Sequence, residues 1–404
     1  MTRRGALWVT YAIFVTIGFM GAVWGPALEN LADQVGSTKS AIGMLITANF
    51  LGSWIAQASV GPLMERLGPR PLLLAGITLM TVGTLGILIS PTLWVILAVG
   101  VVFGIGFGAL DTGSNVLIAE LYADHNVSVL NSLHFFFGVG SIISPLVAGQ
   151  ALDWWDSAIP AIWLGFVMLL LLWPGVGRLP AVITRPEARS EVANGVAAKL
   201  GKFSYRSVLL WSLGVLLMIY VSAEMGLSTW TTQYVEESTR FSNVAGARLT
   251  SAYWFALTIG RLAGILWGSR LSGDVVLLIS LIGSLVGAVL LAAGSGLMGM
   301  TVIGAVVIGF FFGPVYPTVI AIATATFRSG PGKAASLIAS MASLGGMVGS
   351  PLQGVLLNEV NPVSSVIFVA AQCGGMVILY LVLRRQREAR DAQAADPVRA
   401  QSAS

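Results

Sequence analysis

Four ionisable side chains stand inside long apolar runs of this 404-residue sequence: Asp111, His134, Glu224 and Arg261. A charge in an apolar medium is expensive unless paired, so each is a candidate for function. Asp111 and Asn115 are four residues apart and share one helix face, and Gly104 and Gly108 continue that stripe. Asn131 and His134, three apart, share a face of the next run. Asp111 and His134 each lie about six residues from the same end of their runs, or roughly 9 Å in at 1.5 Å per residue. They are therefore expected to meet. A partly desolvated carboxylate beside an imidazole can hold and release a proton near neutral pH. The same carboxylate beside the oxygens of Asn115 and Thr112 can instead hold a hard cation such as Na⁺. Asp111, Asn115 and His134 are thus candidates for cation coupling. The other readings are a substrate contact without coupling and a static bond between two helices.

Glu224 shares a face with Tyr220, Ser228 and Thr231. It lies about 17 residues from the near end of its run, roughly 26 Å up, whereas Arg261 lies about nine from the end of the next, roughly 14 Å up. The mismatch argues against an ion pair between them unless a helix is broken or tilted, and places Arg261 among gate candidates. Trp254 sits on the Arg261 stripe at the height of Glu224. A carboxylate, hydroxyls and an indole suit a sugar, whose C–H faces stack on rings and whose hydroxyls need paired donors and acceptors. A helix cap at Gly226 or an outer-gate contact is the alternative role for Glu224. Asn49, Gln57, Asn131, Gln233, Tyr316 and Gln353 are further hydrogen-bonding candidates for a substrate. Trp24, Trp54, Trp230 and Trp254 are the candidate stacking platforms; Trp8, Trp94, Trp154 and Trp155 are assigned to interfacial belts.

The elements that must position these groups follow from composition. The chain is 56% hydrophobic and 10% charged, with mean hydropathy +0.84, against roughly 25% charge in soluble domains. About 20 apolar residues cross a bilayer. Such runs recur at about 5–28, 40–61, 72–90, 93–119, 128–151, 157–176, 207–235, 245–269, 275–294, 298–322, 334–357 and 362–383. The 48 glycines suit helices that must approach closely in lipid. Only 177–206 is a long polar connection, so the chain divides into a six-helix bundle at 1–176, an inter-bundle loop at 177–206, a second bundle at 207–383 and a polar tail at 384–404 expected to be disordered. With the N-terminus in the cytoplasm, 18 Lys and Arg fall on the inner side and only Lys39, Arg240 and Arg248 on the outer. The positive-inside bias therefore puts both termini in the cytoplasm. The expectation is an all-α integral protein of the cell membrane with twelve helices, monomeric, with no nucleic-acid partner. A single cysteine, Cys373, excludes an internal disulfide or a cysteine metal centre, no phosphate loop is present, and neither histidine sits in a H-E-x-x-H pattern. No cofactor and no enzyme chemistry are expected.

The loop after the second run reads Gly61-Pro-Leu-Met-Glu65-Arg66-Leu-Gly68-Pro-Arg70. It resembles the signature loop of the major facilitator superfamily, with Glu65 in place of an aspartate and Pro71 in place of the last basic residue. The resemblance implies that Glu65, Arg66 and Arg70 serve a cytoplasmic gate; a solvated turn is the plainer alternative. A narrower likeness runs through Asp111-Thr-Gly-Ser-Asn115, Leu130-Asn131-Ser-Leu-His134-Phe-Phe-Phe-Gly138, Tyr220-Val-Ser-Ala-Glu224-Met-Gly226 and Phe312-Gly-Pro-Val-Tyr316-Pro317-Thr318. Together these look like the fucose/galactose/glucose–proton symporter family, in particular its sodium-dependent glucose transporter branch. That resemblance implies two pseudo-twofold bundles, alternating access and uptake of a hexose by H⁺ or Na⁺ symport. One departure stands out. Fucose-permease relatives carry an acid in the first span before a proline, and here that position, near Ala22, is apolar, with no acid until Glu29. A proton-driven exporter of hydrophobic compounds and a non-transporting membrane sensor or scaffold are the competing readings.

Overall fold

A computed structural model of the protein describes residues 2–122, 126–179, 204–239, 241–268, 270–327 and 331–395. The side chains of Glu65 and Asn131, and most of the 177–206 loop, lie outside what it describes. Among the described residues there is no strand, and the helices follow the apolar runs. The first crossing is broken into α1 (Arg3–Ala22) and α2 (Trp24–Val35). Pro26 is the cause: it has no N–H to give the Ala22 carbonyl, and the helix yields at Val23. The second crossing is α3 (Lys39–Ile42) running into α4 (Met44–Leu67). Then follow α5 (Pro69–Ile89), α6 (Leu93–Leu121), α7 (Asn126–Trp155) and α8 (Ile159–Val176).

The second half opens with α9 (Val208–Thr239), then α10 (Asn243–Gly268) and α11 (Gly273–Ala293). A crossing split at Gly313-Pro314 gives α12 (Met298–Phe312) and α13 (Val315–Thr326). Next come α14 (Pro331–Val355), a π-turn at Leu356–Val360, and α15 (Pro362–Ala395). Among the described residues, eleven spans are long and apolar enough to cross a membrane. The remaining expected span is α14, whose alanines, serines and glycines lower its hydropathy and let it pack between α9 and α4. The tail expectation needs correction. Residues 384–395 continue α15 as helix, because this stretch is rich in alanine, arginine and glutamine, which favour it.

Each half repeats the same packing. In the first, α1 lies on α7, α4 on α6, and α5 on α6. Six crossings later, α9 lies on α14, α10 on α12, and α11 on α12. Glycines set the closeness. A Cβ at Gly18 would stand 2.1 Å from the Phe137 carbonyl oxygen, and one at Gly104 would stand 2.0 Å from that of Asn49. The halves meet along two seams, α7 with α10 and α4 with α14, which exchange under the same repeat. The core is continuous through both halves.

Candidate substrate and cation site

A cavity of about 790 Å³ lies between the halves. Its polar residues come from four helices and both halves: Asn115 on α6, His134 on α7, Arg261 on α10, and Tyr316, Thr318 and Thr324 on α13. It extends to the end of the bundle that carries the chain termini, where Gly268 and Gly273 border it. The split at Gly313-Pro314 turns Tyr316 toward this space.

Behind Arg261 stands Glu224, buried at 5% exposure. Its Oε1 accepts from Tyr220 Oη at 2.8 Å and faces the Arg261 guanidinium at 3.7 Å. The ion pair overturns the height argument. Helix α9 has 32 residues, roughly 48 Å, and overhangs a hydrocarbon core of roughly 30 Å. Counting from its first residue therefore sets Glu224 too high. The Arg261 side chain also leans toward the start of its helix, as helical side chains do, and so reaches toward Glu224. Its other amino group donates to the His134 carbonyl oxygen at 3.3 Å, across the halves. Tyr253 donates to the Glu224 carbonyl at 3.3 Å, and Trp254 Nε1 donates to Ser228 Oγ at 2.9 Å. The expected level match of Trp254 with Glu224 is thus present, one turn along α9.

Asp111 and His134 do not bond to each other. Asp111 Oδ1 accepts from Asn115 Nδ2 at 3.2 Å, and the His134 ring meets Phe14 edge to face with centroids 5.6 Å apart. Equal depth along two helices does not set their rotation, and the Asn115 amide one turn away is the nearer partner.

The other candidates scatter around this centre. Gln57 Oε1 accepts from Ser343 Oγ at 2.9 Å and links the α4–α14 seam. Asn49 is buried with its Oδ1 against Gly100. Trp24 is buried edge-on to Phe103, whereas Trp54 is exposed. Trp230 fills a slot between Gly43 and Gly354 and donates to the Ser350 carbonyl at 2.7 Å. Gln353 is buried beside Gly226, and Gln233 donates to Glu237 and Asn358 toward the far end. Arg66 is exposed, and Arg70 Nε donates to the Leu179 carbonyl, just past the end of α8, at 2.6 Å.

The sequence profile described as Major Facilitator Superfamily matches residues 9–274 and 243–403. The chain belongs to the major facilitator superfamily, and it is a membrane transporter. It is similar to mouse "Sodium-dependent glucose transporter 1A", 24% identical over 305 residues covering 68% of this chain and 72% of that one. Human "Sodium-dependent glucose transporter 1" is 25% identical over 306 residues, covering 68% of this chain and 58% of its own length. The chain thus spans less than two thirds of the human relative. Among solved structures, the partially occluded inward-open xylose transporter XylE from E. coli aligns with a TM-score of 0.77 at 13% identity, covering 95% of this chain and 99% of that one. At that identity the likeness speaks for the fold.

Charged groups that no sequence motif marks join the halves at the transporter's far end. Lys39 Nζ lies 3.0 Å from Glu29 Oε1 and 3.7 Å from Glu236 Oε2, the latter across the halves. Glu29 Oε2 accepts from Asn243 Nδ2 at 2.8 Å, again across. Below them, Gly25 is so near α9 that a Cβ there would stand 2.5 Å from the Thr229 carbonyl oxygen. The signal available in the sequence is scarcity, for Lys39 is one of three cations on that side. Lys39→Gln removes the charge that joins Glu29 to Glu236. Spin labels at Asp33→Cys and Ser242→Cys, with Cys373→Ser, should then report longer distances across the far end. An unchanged distance distribution would show that the backbone contact at Gly25 suffices to hold it shut.

Proposed function

We propose that this transporter takes up a monosaccharide, a hexose in the first instance, by symport with H⁺ or Na⁺. The reading rests on one observation above the rest. Asn115, His134, Arg261 and Tyr316, drawn from both halves, converge on one cavity that is closed off from the far end. Amide, imidazole, guanidinium and phenol groups offer the mixture of donors and acceptors that a polyol needs, and rocking the halves would separate them. Glu224 and Tyr220 hold Arg261 in place. The names of the mouse and human relatives support the substrate class.

Asp111 is the coupling group in this proposal. It carries an amide for a partner rather than a counter-charge, so it has use for a cation. The positive-inside bias places both termini in the cytoplasm, which makes the cavity inward-facing and Lys39 part of the outer gate. Glu65, Arg66 and Arg70 then lie on the cytoplasmic side, available to an inner gate in the opposite state. Labelled-hexose uptake into proteoliposomes under imposed Na⁺ or H⁺ gradients tests the reading. Accumulation above equilibrium with one of the two gradients is expected. Transport that neither ion stimulates removes the coupling, and failure of every hexose removes the sugar.

A further inference from the structure

The cavity has two chemistries. Beside Asn115, His134, Arg261 and Tyr316, and next to Thr318 and Thr324, much of its wall is apolar: Leu262, Ile265, Pro317, Ile320 and Ala321. A free hexose carries hydroxyls around its whole rim. Any hydroxyl turned to these walls would give up water without gaining a partner.

The walls also reach the bilayer-facing surface. Leu262, 40% exposed, belongs to the exposed α10 stripe of Phe255, Ile259 and Leu266, and it lines the cavity as well. Phe135, 38% exposed, does the same on α7, in line with the exposed Ile143 and Leu146. Two helices on opposite sides of one seam thus each share a residue between cavity and outer surface. The seam α7–α10 is joined at Arg261 and the His134 carbonyl, and Phe135 and Leu262, each next in sequence to one of these two, are shared between the cavity and the outer surface.

We propose that the preferred substrate is an amphiphile: a hexose carrying a short alkyl or aryl aglycone. The sugar would occupy the end formed by Asn115, His134, Arg261 and Tyr316, and the aglycone would run along Leu262 and Ile265 toward the seam. The inference rests on the sugar reading above and narrows its substrate class. An apolar wall of this kind rewards each methylene it covers, whereas a wall that only packs shut when this end closes does not.

The test is competition against labelled glucose and labelled galactose by the transporter in lipid nanodiscs. The competitors are methyl, propyl and pentyl β-glucosides and the matching galactosides. Affinity should rise about fourfold per added methylene. Leu262→Ala and Ile265→Ala, each checked for an unshifted melting temperature, should flatten that slope. Constant or falling affinity along a series whose parent hexose binds overturns the inference and assigns the walls to closure of this end. An equal slope in the wild type and both variants also overturns it, because the gain then comes from partition into lipid. If no hexose and no glycoside binds, the sugar reading itself fails and the inference falls with it.

Discussion

In proteoliposomes, Asp111→Asn should bring cation-driven accumulation down to equilibration while counterflow exchange continues. The substitution keeps the shape of the side chain and its place one turn from Asn115, whose Nδ2 now bonds the carboxylate at 3.2 Å. What it removes is the charge. Accumulation requires that a cation travel with the sugar in every cycle, and a neutral amide cannot neutralise one. Exchange of labelled for unlabelled sugar moves no net ion, so it needs only a site that binds and halves that rock. Measuring both in one preparation separates the roles. Loss of both in equal measure would make Asp111 a substrate ligand or a structural residue, and retention of accumulation would move the coupling elsewhere.

The largest effect on stability should come from Arg261→Ala. The Glu224 carboxylate is then buried with the Tyr220 hydroxyl as its side-chain partner and no counter-charge. Removing one member of a buried ion pair costs roughly 3–5 kcal/mol, chiefly because the other charge stays behind. Adding Glu224→Gln removes that stranded charge, so the double variant should recover most of the loss in a thermal-unfolding assay. Transport should not recover, since Arg261 lines the cavity. The coupling energy of the cycle measures the pair. Additive losses in the two single variants would mean that the 3.7 Å contact contributes nothing.

Much of the fold is legible in the sequence because lipid leaves few options. Apolar length gave the spans, whereas the breaks at Pro26 and at Gly313-Pro314 appear only in the fold. The site is legible as a set of residues and less so as a set of bonds. Glu224 and Arg261 stood out as charges in apolar runs, yet residue counting set them at different depths, because α9, at 32 residues, is longer than a bilayer crossing. Asp111 and His134 matched in depth yet face different partners, because helix rotation is fixed by tertiary packing. The far-end network depends on Glu29, Lys39, Glu236 and Asn243, which lie far apart in the chain and at the ends of apolar runs, where charge is unremarkable.

The two membrane carboxylates also differ in how they meet an electric field. Glu224 and Arg261 cancel within one half, so that half presents no net charge to the voltage across the bilayer. Asp111 in the other half has a dipole for company. When it is ionised and no cation is bound, the unloaded protein carries one uncompensated negative charge, and a full crossing of the field is worth about 2.3 kcal/mol per 100 mV. A monovalent cation at Asp111 cancels it. In the proposed symport cycle, a potential that is negative inside therefore acts on the unloaded return rather than on the loaded passage. It drives that charge outward, the direction an importer must take before it can load again.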